Sequence, residues 1–390
     1  MKSNKLGINT VCTHVGEIKD EQFKGAISPL YMSSSYAYEN VDVKRYPRYF
    51  NTPNQEALGK KIAALEHCEA GMLFGSGMAA VSTALLAFLH KGDHVVVQKT
   101  IYGGAYNFMV EEFPKYGIEY DFTDGFSEKD FASKIKPNTK VIYLETPSNP
   151  LMLITDLEMI SNLSRKHHLV SMIDNTFASP INQNPADFGI DIIIHSATKY
   201  MGGHSDICAG AVATSKEHMD KIWHLGKNLG GSLSDYTVWL LERSIKTMGV
   251  RVKAQNRNAK KIAKWLEEHP LVTKVYYPGL RSHPNYGLAK RQMRGYTGML
   301  SFELIPSVNP QAFMEALQLI KQSMSLAGVE STILSPSKTS HALLSSEERK
   351  RQGIADGLLR FSVGIEDKKD LIEDLEQAFE AVTKKQIQTT

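Results

Sequence analysis

The chain has only three cysteines in 390 residues, Cys12, Cys68 and Cys208, and no C-x-x-C pair among them. That is too few for a disulfide scaffold or a zinc site, so no metal is expected, packing is the ordinary role of each thiol, and a reducing compartment is favoured. An excess of one charge is also missing: Lys+Arg 45 against Asp+Glu 42 leaves a formal net charge of +3. Such a balance gives no field that would gather nucleic acid or a membrane surface, and a small polar ligand is the expected partner. The first residues, Met1-Lys-Ser-Asn-Lys-Leu-Gly, contain no apolar signal core, and no apolar run approaches the length of a membrane span. A cytoplasmic location is therefore expected. Internal repeats and low-complexity tracts are absent as well.

Length sets the organisation. A chain of 390 residues exceeds the size at which one hydrophobic core stays efficient, so two domains with a cleft between them are expected. Residues 1–53, rich in Ser, Tyr and Asn and without a sustained period, read as an extended arm that packs on a partner. Residues 54–250 alternate helical patterns with the short apolar runs Met72-Leu-Phe, His94-Val-Val-Val, Val141-Ile-Tyr-Leu, Leu169-Val-Ser-Met-Ile and Ile192-Ile-Ile. This predicts an α/β fold with a mostly parallel sheet covered by helices. Residues 251–390 read as a smaller α/β domain, with strands near Lys274-Val-Tyr-Tyr, Met299-Leu-Ser-Phe and Leu359-Arg-Phe-Ser-Val and helices at 251–268, 310–319 and 370–382. The polar stretch 335–350 is expected to form a mobile rim.

Chemistry gathers at strand ends. Lys199 closes the run Asp191-Ile-Ile-Ile-His-Ser-Ala-Thr-Lys, an apolar strand that delivers a cation to its carboxyl end, where open α/β sheets bind ligands. Desolvation lowers a lysine pKa and frees its amine to react with a carbonyl, and the obvious carbonyl is that of pyridoxal phosphate. Taken alone, such a lysine is an ordinary solvated charge; its neighbours change the balance. Gly75-Ser-Gly-Met-Ala-Ala follows a strand and opens a helix, so its amides and helix dipole suit a phosphate. Asp174 ends the strand Leu169-Val-Ser-Met-Ile at the same sheet edge, and an aspartate there can hold a pyridine nitrogen protonated so that the ring acts as an electron sink. Ser196 and Thr198 flank Lys199 with hydroxyls suited to phosphate oxygens, although such residues are often local caps.

Two other enzyme classes share parts of these motifs. The glycine turn satisfies G-x-G-x-x-A, a nicotinamide-dinucleotide fingerprint, with Asp93 as the ribose acid. Asp93, however, precedes its strand, whereas a ribose acid belongs at a strand's carboxyl end. Ser196-Ala-Thr-Lys199 fits the S-x-x-K nucleophile motif of serine hydrolases, and Lys338-Thr339-Ser340 faintly resembles their K-T-G, but no S-D-N element lies between the two.

Taken together, Tyr46-Pro-Arg48, Gly75-Ser-Gly-Met78, Ile101-Tyr102-Gly-Gly104, Glu145-Thr-Pro-Ser-Asn149-Pro, Ile173-Asp174-Asn-Thr-Phe, Ser196-Ala-Thr-Lys199-Tyr-Met-Gly-Gly-His and Leu359-Arg360-Phe-Ser-Val-Gly resemble the trans-sulfuration family. This is the Cys/Met-metabolism group of pyridoxal-phosphate enzymes, which includes cystathionine γ-lyase, methionine γ-lyase, cystathionine γ-synthase and cystathionine β-lyase. The resemblance runs nearly end to end. It implies an aspartate-aminotransferase-like fold, fold type I, and a homotetramer built from two catalytic dimers. By the same resemblance Lys199 is the Schiff-base lysine and Asp174 the partner of the pyridine nitrogen. Gly77 and Met78 offer amides to the phosphate with help from Ser196 and Thr198, and Tyr102 stacks on the ring and moves protons. Tyr46 and Arg48 reach the phosphate of the neighbouring subunit. Arg360 clamps the substrate α-carboxylate, and Asn149 lies near the cofactor's phenolic oxygen or that carboxylate.

Some positions depart from the family pattern. Asn107 stands where several members carry an arginine for the distal end of the substrate, so Arg45 and Glu330 become the candidates for distal recognition. Gly104 occupies the place of a cysteine in specialised methionine γ-lyases. Glu330 before Ser331, both expected at the substrate, resembles the γ-lyase and γ-synthase pattern and not the tyrosine of some β-lyases. The implied activity is a cystathionine γ-lyase-type carbon–sulfur cleavage, with cystathionine γ-synthase, methionine γ-lyase and cystathionine β-lyase as alternatives.

Overall fold

A computed structural model describes residues 6–339, 347, 349 and 353–389. Seven strands form the larger sheet: β1 (Ala70–Phe74), β2 (His94–Val97), β3 (Glu119–Phe122), β4 (Thr139–Glu145), β5 (Val170–Asp174), β6 (Ile192–His195) and β7 (Gly210–Thr214), in the order β1-β7-β6-β5-β4-β2-β3. From β3 through β6 every pairing is parallel, whereas β7 runs antiparallel to both β6 and β1. Parallel strands need crossovers, and the helices that make them cover both faces. This is why Ile192, Ile193 and Ile194 are all fully buried, with no polar alternation. The fold is the expected α/β architecture of fold type I, with a mixed central sheet.

The smaller sheet joins β8 (Val272–Tyr276), β9 (Met299–Leu304), β10 (Lys321–Gln322), β11 (Thr332–Leu334) and β12 (Leu358–Ser362) in the order β10-β11-β12-β9-β8. Its pairings are antiparallel except for β10 with β11. Leu300, Phe302, Leu359 and Phe361 form one core with Phe313 and Phe379 from the helices Pro310–Ala316 and Lys368–Thr389. The helix Met248–Glu267 contributes Ala259 and Ile262 to that core and Val252 to the core of the larger sheet, so it connects the two.

The first fifty residues are not extended throughout. Helix α1 (Ile8–His14) buries Val11 and Cys12, and the fully buried Lys61 Nζ donates to the Cys12 carbonyl at 2.9 Å. A cation thus satisfies the carbonyl end of a helix too short to show a period. Helix α2 (Pro53–Leu65), which carries Lys61, starts with a capping box between Thr52 and Gln55 and a proline in its first turn. Between α1 and α2 the arm exposes large apolar side chains, among them Phe23 at 80 %, Met32 at 70 % and Tyr38 at 70 %. Of the expected rim, residues 340–346, 348 and 350 lie outside the described residues; Pro336–Lys338 forms a short 3-10 turn.

His283 is buried beside the Leu151–Met152 main chain, and burial pushes its imidazole down to about 4. An unfolded chain protonates this residue near pH 6.5 while the folded one resists, so its contribution to stability is complete above that pH and is lost as pH falls toward 4. The loss should reach about 3 kcal/mol from this residue alone. Urea unfolding between pH 7.5 and 4.5 should show a shallower acid slope in His283→Gln than in the wild type; equal slopes would contradict the assignment.

Candidate active site

Because β4, β5 and β6 are parallel and in register, their carboxyl ends share one edge: Glu145 pairs with Asp174, and Asp174 with Ile194, the residue before the end of β6. Just beyond that edge lies a cavity of about 640 Å³ whose lining includes Gly77, Tyr102, Asp174, Ser196, Lys199 and Arg360. Side chains more than 280 residues apart in the chain thus converge there, with Arg360 arriving from β12 of the smaller sheet.

After β6 the chain enters a short wide turn, Thr198–Gly202, in which Lys199 departs from helical geometry at φ −85° and ψ −120°. Wide turns of this kind concentrate at functional positions. Lys199 Nζ donates to Ser325 Oγ at 3.2 Å, and no carboxylate pairs with it among the described residues. Burial, then the charge of Arg360, pulls its proton affinity down. Across the cavity Asp174 is 7 % exposed and its carboxyl is pushed up by burial, opposed by hydrogen bonds from Thr176 and by His195. Both groups are therefore biased toward their neutral forms. A ligand with a carbonyl at one end and a protonatable ring nitrogen at the other would satisfy both.

Helix α3 (Gly77–Leu86) supplies an anion seat. Ser76 caps it by accepting the Ala79 amide at 3.0 Å, and the Ser76 carbonyl takes the Ala80 amide at 3.2 Å. The Gly77 and Met78 amides are left without an acceptor within the described chain, at the positive end of a helix. A Cβ on Gly77 would stand 2.8 Å from Ser196 Cβ and 3.0 Å from its Cα, so only glycine allows this approach. The Ser196 hydroxyl has no hydrogen-bond partner among the described residues and borders the cavity. Two free amides and a free hydroxyl fit a phosphate. Thr198 differs from expectation: its hydroxyl donates to the Ala209 carbonyl at 3.1 Å and accepts the Ala209 amide at 3.0 Å. Its proton already closes the turn.

Arg360 is 4 % exposed. It donates to Asn149 Oδ1 at 3.1 Å and to the Met324 carbonyl at 3.4 Å. Burial pushes the guanidinium down to about 10, against the nearby Glu145 and Tyr102. No carboxylate forms an ion pair with it among the described residues, which leaves a buried fork suited to an incoming one. Tyr102 is 46 % exposed on the cavity wall, and its amide donates to Glu145 Oε2 at 2.6 Å. Glu145, a residue to which the sequence assigned no role, is buried, and burial and then Asp174 hold its carboxyl well above the usual range. The signal for it was its position as the last residue of an apolar strand. Thr176 and Ser325 were also given no role: Thr176 stands inside the run Ile173-Asp174-Asn-Thr-Phe but was passed over beside Asp174, and Ser325 lies in no charged or glycine-rich motif.

Other expected residues are not brought to this cavity by one chain. Arg48 lies with its guanidinium 5.7 Å and 5.1 Å from the Tyr46 and Tyr49 ring centroids and donates to the Lys227 carbonyl. Arg45 is paired with Glu56 at 2.9 Å and bonded to the Asn51 carbonyl, so its charge is already answered. Glu330 is exposed outside the lining. Ser331 is fully buried outside the lining, its amide and hydroxyl are both held by Glu366, at 2.6 Å and 2.9 Å, and its hydroxyl also accepts the Gly364 amide at 2.9 Å. Asn107 and Gly104 do line the cavity. Asp93, the ribose acid of the nicotinamide alternative, closes its own turn by accepting the His90 amide at 2.8 Å.

Residues 9–380 match the family model described as Cys/Met metabolism PLP-dependent enzyme. The chain is 43 % identical over 377 residues to a cystathionine gamma-lyase of Bacillus subtilis strain 168, covering 96 % of this chain and 99 % of that one. To a cystathionine beta-lyase of Lactococcus lactis subsp. cremoris strain MG1363 it is 41 % identical, with the same coverage. Its structure matches that of cystathionine gamma-lyase from Lactobacillus plantarum complexed with L-serine at a TM-score of 0.93 and 40 % identity, over 97 % of this chain and 100 % of the other. With a lysine and an aspartate facing one cavity, an anion seat at the start of α3, and a family match that spans nearly its whole length, the chain belongs to the Cys/Met metabolism family of pyridoxal-phosphate-dependent enzymes.

Proposed function

We propose that the chain is a carbon–sulfur lyase of the cystathionine γ-lyase type, which splits a sulfur amino acid by γ-elimination into a thiol, an α-keto acid and ammonia. The observation that carries this is a desolvated, weakly basic Lys199 sharing a cavity with Asp174 and with the guanidinium of Arg360, which pairs with no carboxylate among the described residues. When bound, pyridoxal phosphate supplies an aldehyde that takes up an amine and a ring that accepts the electron pair left by a departing Cα proton.

The residues then divide the work. The Gly77 and Met78 amides and the Ser196 hydroxyl hold the phosphate. Asp174 would keep a proton on the ring nitrogen, and Tyr102, on the cavity wall, would pack against the cofactor. Arg360, oriented by Asn149, grips the α-carboxylate with paired N–H donors. Lys199 Nζ, with its lowered proton affinity, takes the Cα proton and assists at Cβ, and the Tyr102 hydroxyl exchanges a proton with the leaving sulfur. Cleavage at the γ position is supported by the 43 % identity to a γ-lyase and by Glu330 in place of a tyrosine. The same Glu330 pattern favours γ-replacement, as in a cystathionine γ-synthase, as the second possibility. Arg45 is tied to Glu56, which leaves Glu330 as the exposed candidate for a distal ammonium. The exposed apolar arm, and the position of Tyr46 and Arg48 outside their own chain's cavity, support a catalytic dimer in which they serve the neighbour, two such dimers making a homotetramer.

Product analysis tests the reaction. Cystathionine should yield cysteine, 2-oxobutanoate and ammonia; homocysteine with pyruvate would make the enzyme a β-lyase. Lys199→Ala should lose the covalently held yellow cofactor and at least about a hundredfold in kcat, and normal colour with normal turnover would remove Lys199 from its role. Mixing inactive Arg48→Ala and Lys199→Ala subunits should restore part of the activity through hybrid dimers with one intact site. Full activity in a monomer verified by sedimentation would refute sharing.

A further inference from the structure

On the α2 side of the larger sheet, one carboxylate joins two strand ends. Glu66, which caps α2, is fully buried. Its Oε1 accepts His195 Nε2 at 2.6 Å and Asn175 Nδ2 at 2.9 Å, and its Oε2 accepts Asn184 Nδ2 at 3.2 Å. Asn175 immediately follows Asp174, and His195 immediately precedes Ser196. His195 is 2 % exposed and lies one residue past Ile194, so it shares its face with Ile193, which packs in one core with Leu58 and Ile62 of α2. Asn175 is held further by Gln183, whose carbonyl accepts its amide at 3.1 Å and whose amide donates to its oxygen at 3.0 Å.

Stability alone is a poor reason for this arrangement. Apolar side chains of the same volume commonly stabilise a fold as well as a buried carboxylate–imidazole pair does, whereas the pair's directional bonds fix where its partners sit. Here those partners are the residues next to Asp174 and three positions upstream of Thr198-Lys199. We infer that Glu66 and His195 are positioning residues for the cofactor site, pinning the ends of β5 and β6 to one point and so setting where Asp174 stands relative to Lys199; this rests on the roles proposed above for those two residues.

The test compares the visible circular dichroism per bound cofactor, which reports its orientation, the cofactor dissociation constant, and the melting point of the cofactor-stripped protein. His195→Asn, whose amide is too short to reach Glu66, should weaken cofactor binding roughly tenfold and reduce the dichroism. His195→Gln, which can reach, should restore most of both. Asn184→Ala cuts the bond to the far oxygen, together with the bonds of Asn184 to the Leu65 carbonyl and Arg294, and touches neither strand-end link, so it should lower the melting point and leave the dichroism intact. If His195→Asn does not fold, Asn175→Ala severs the other link and should give the same loss. Wild-type dichroism and affinity in the link-cutting variant, or an equal loss in Asn184→Ala, would overturn the inference. Asp174→Ala separates the two levels: normal cofactor binding there would remove the role of Asp174 and the inference with it, whereas impaired binding there with normal binding in His195→Asn would remove the inference alone.

Discussion

The in-register parallel pairing of β4, β5 and β6 is the constraint on which the site depends. Side chains alternate faces along a strand, so a slip of one residue in β5 would turn Asp174 toward the α2 side and bring Asn175 to the cavity. The apolar runs that define these strands guard against such a slip, because it would also exchange Met172 with Ile173 between two cores that are both closed. Chemistry at the rim is therefore specified by packing in the interior. The antiparallel return of β7 adds a wall to the same arrangement, since Ala209, just before it, closes the turn that presents Lys199.

Charge in the cavity is arranged for a visitor and not for the chain alone. Burial lowers the proton affinity of Lys199 and Arg360, with the charge of Arg360 adding to the effect on Lys199, and burial raises that of Asp174 and Glu145, with Asp174 adding to the effect on Glu145. Three buried ionisable groups and a half-buried lysine with no ion pair among them are unfavourable in isolation. A ligand carrying a phosphate, a ring nitrogen and a carboxylate would answer them together, and any group that binds only the folded state stabilises it by mass action.

Much of this was legible in the sequence because its chemistry is tied to local motifs. Lys199 and Asp174 end apolar runs, and Gly77 opens a helix after a strand, so a period and a terminus sufficed to find them. Strand β7 escaped notice because Gly-Ala-Val-Ala-Thr has small side chains and no aromatic signal. Its smallness has a tertiary cause: a Cβ on Gly210 would lie 2.1 Å from the Ser76 carbonyl oxygen, where α3 crosses it. Helix α1 was hidden by its length of seven residues and by dependence on Lys61, forty-nine positions away. Thr198, Arg45 and Ser331 show the opposite limit. Their residue types suit a ligand, but Ala209, Glu56 and Glu366 engage them first, and no spacing rule reveals a competing partner from a distant segment.

The start of α3 is wedged between Ser196 on one side and Gly210 on the other, each approach possible only because a side chain is missing. A seat so confined has almost no alternative conformations to surrender when an anion arrives, so little conformational entropy opposes binding there. It also has nothing to relax. Tuning of cofactor retention to heat or cold would then have to be written into the surrounding loops and the arm, and Gly77 and Gly210 would be the last positions free to drift.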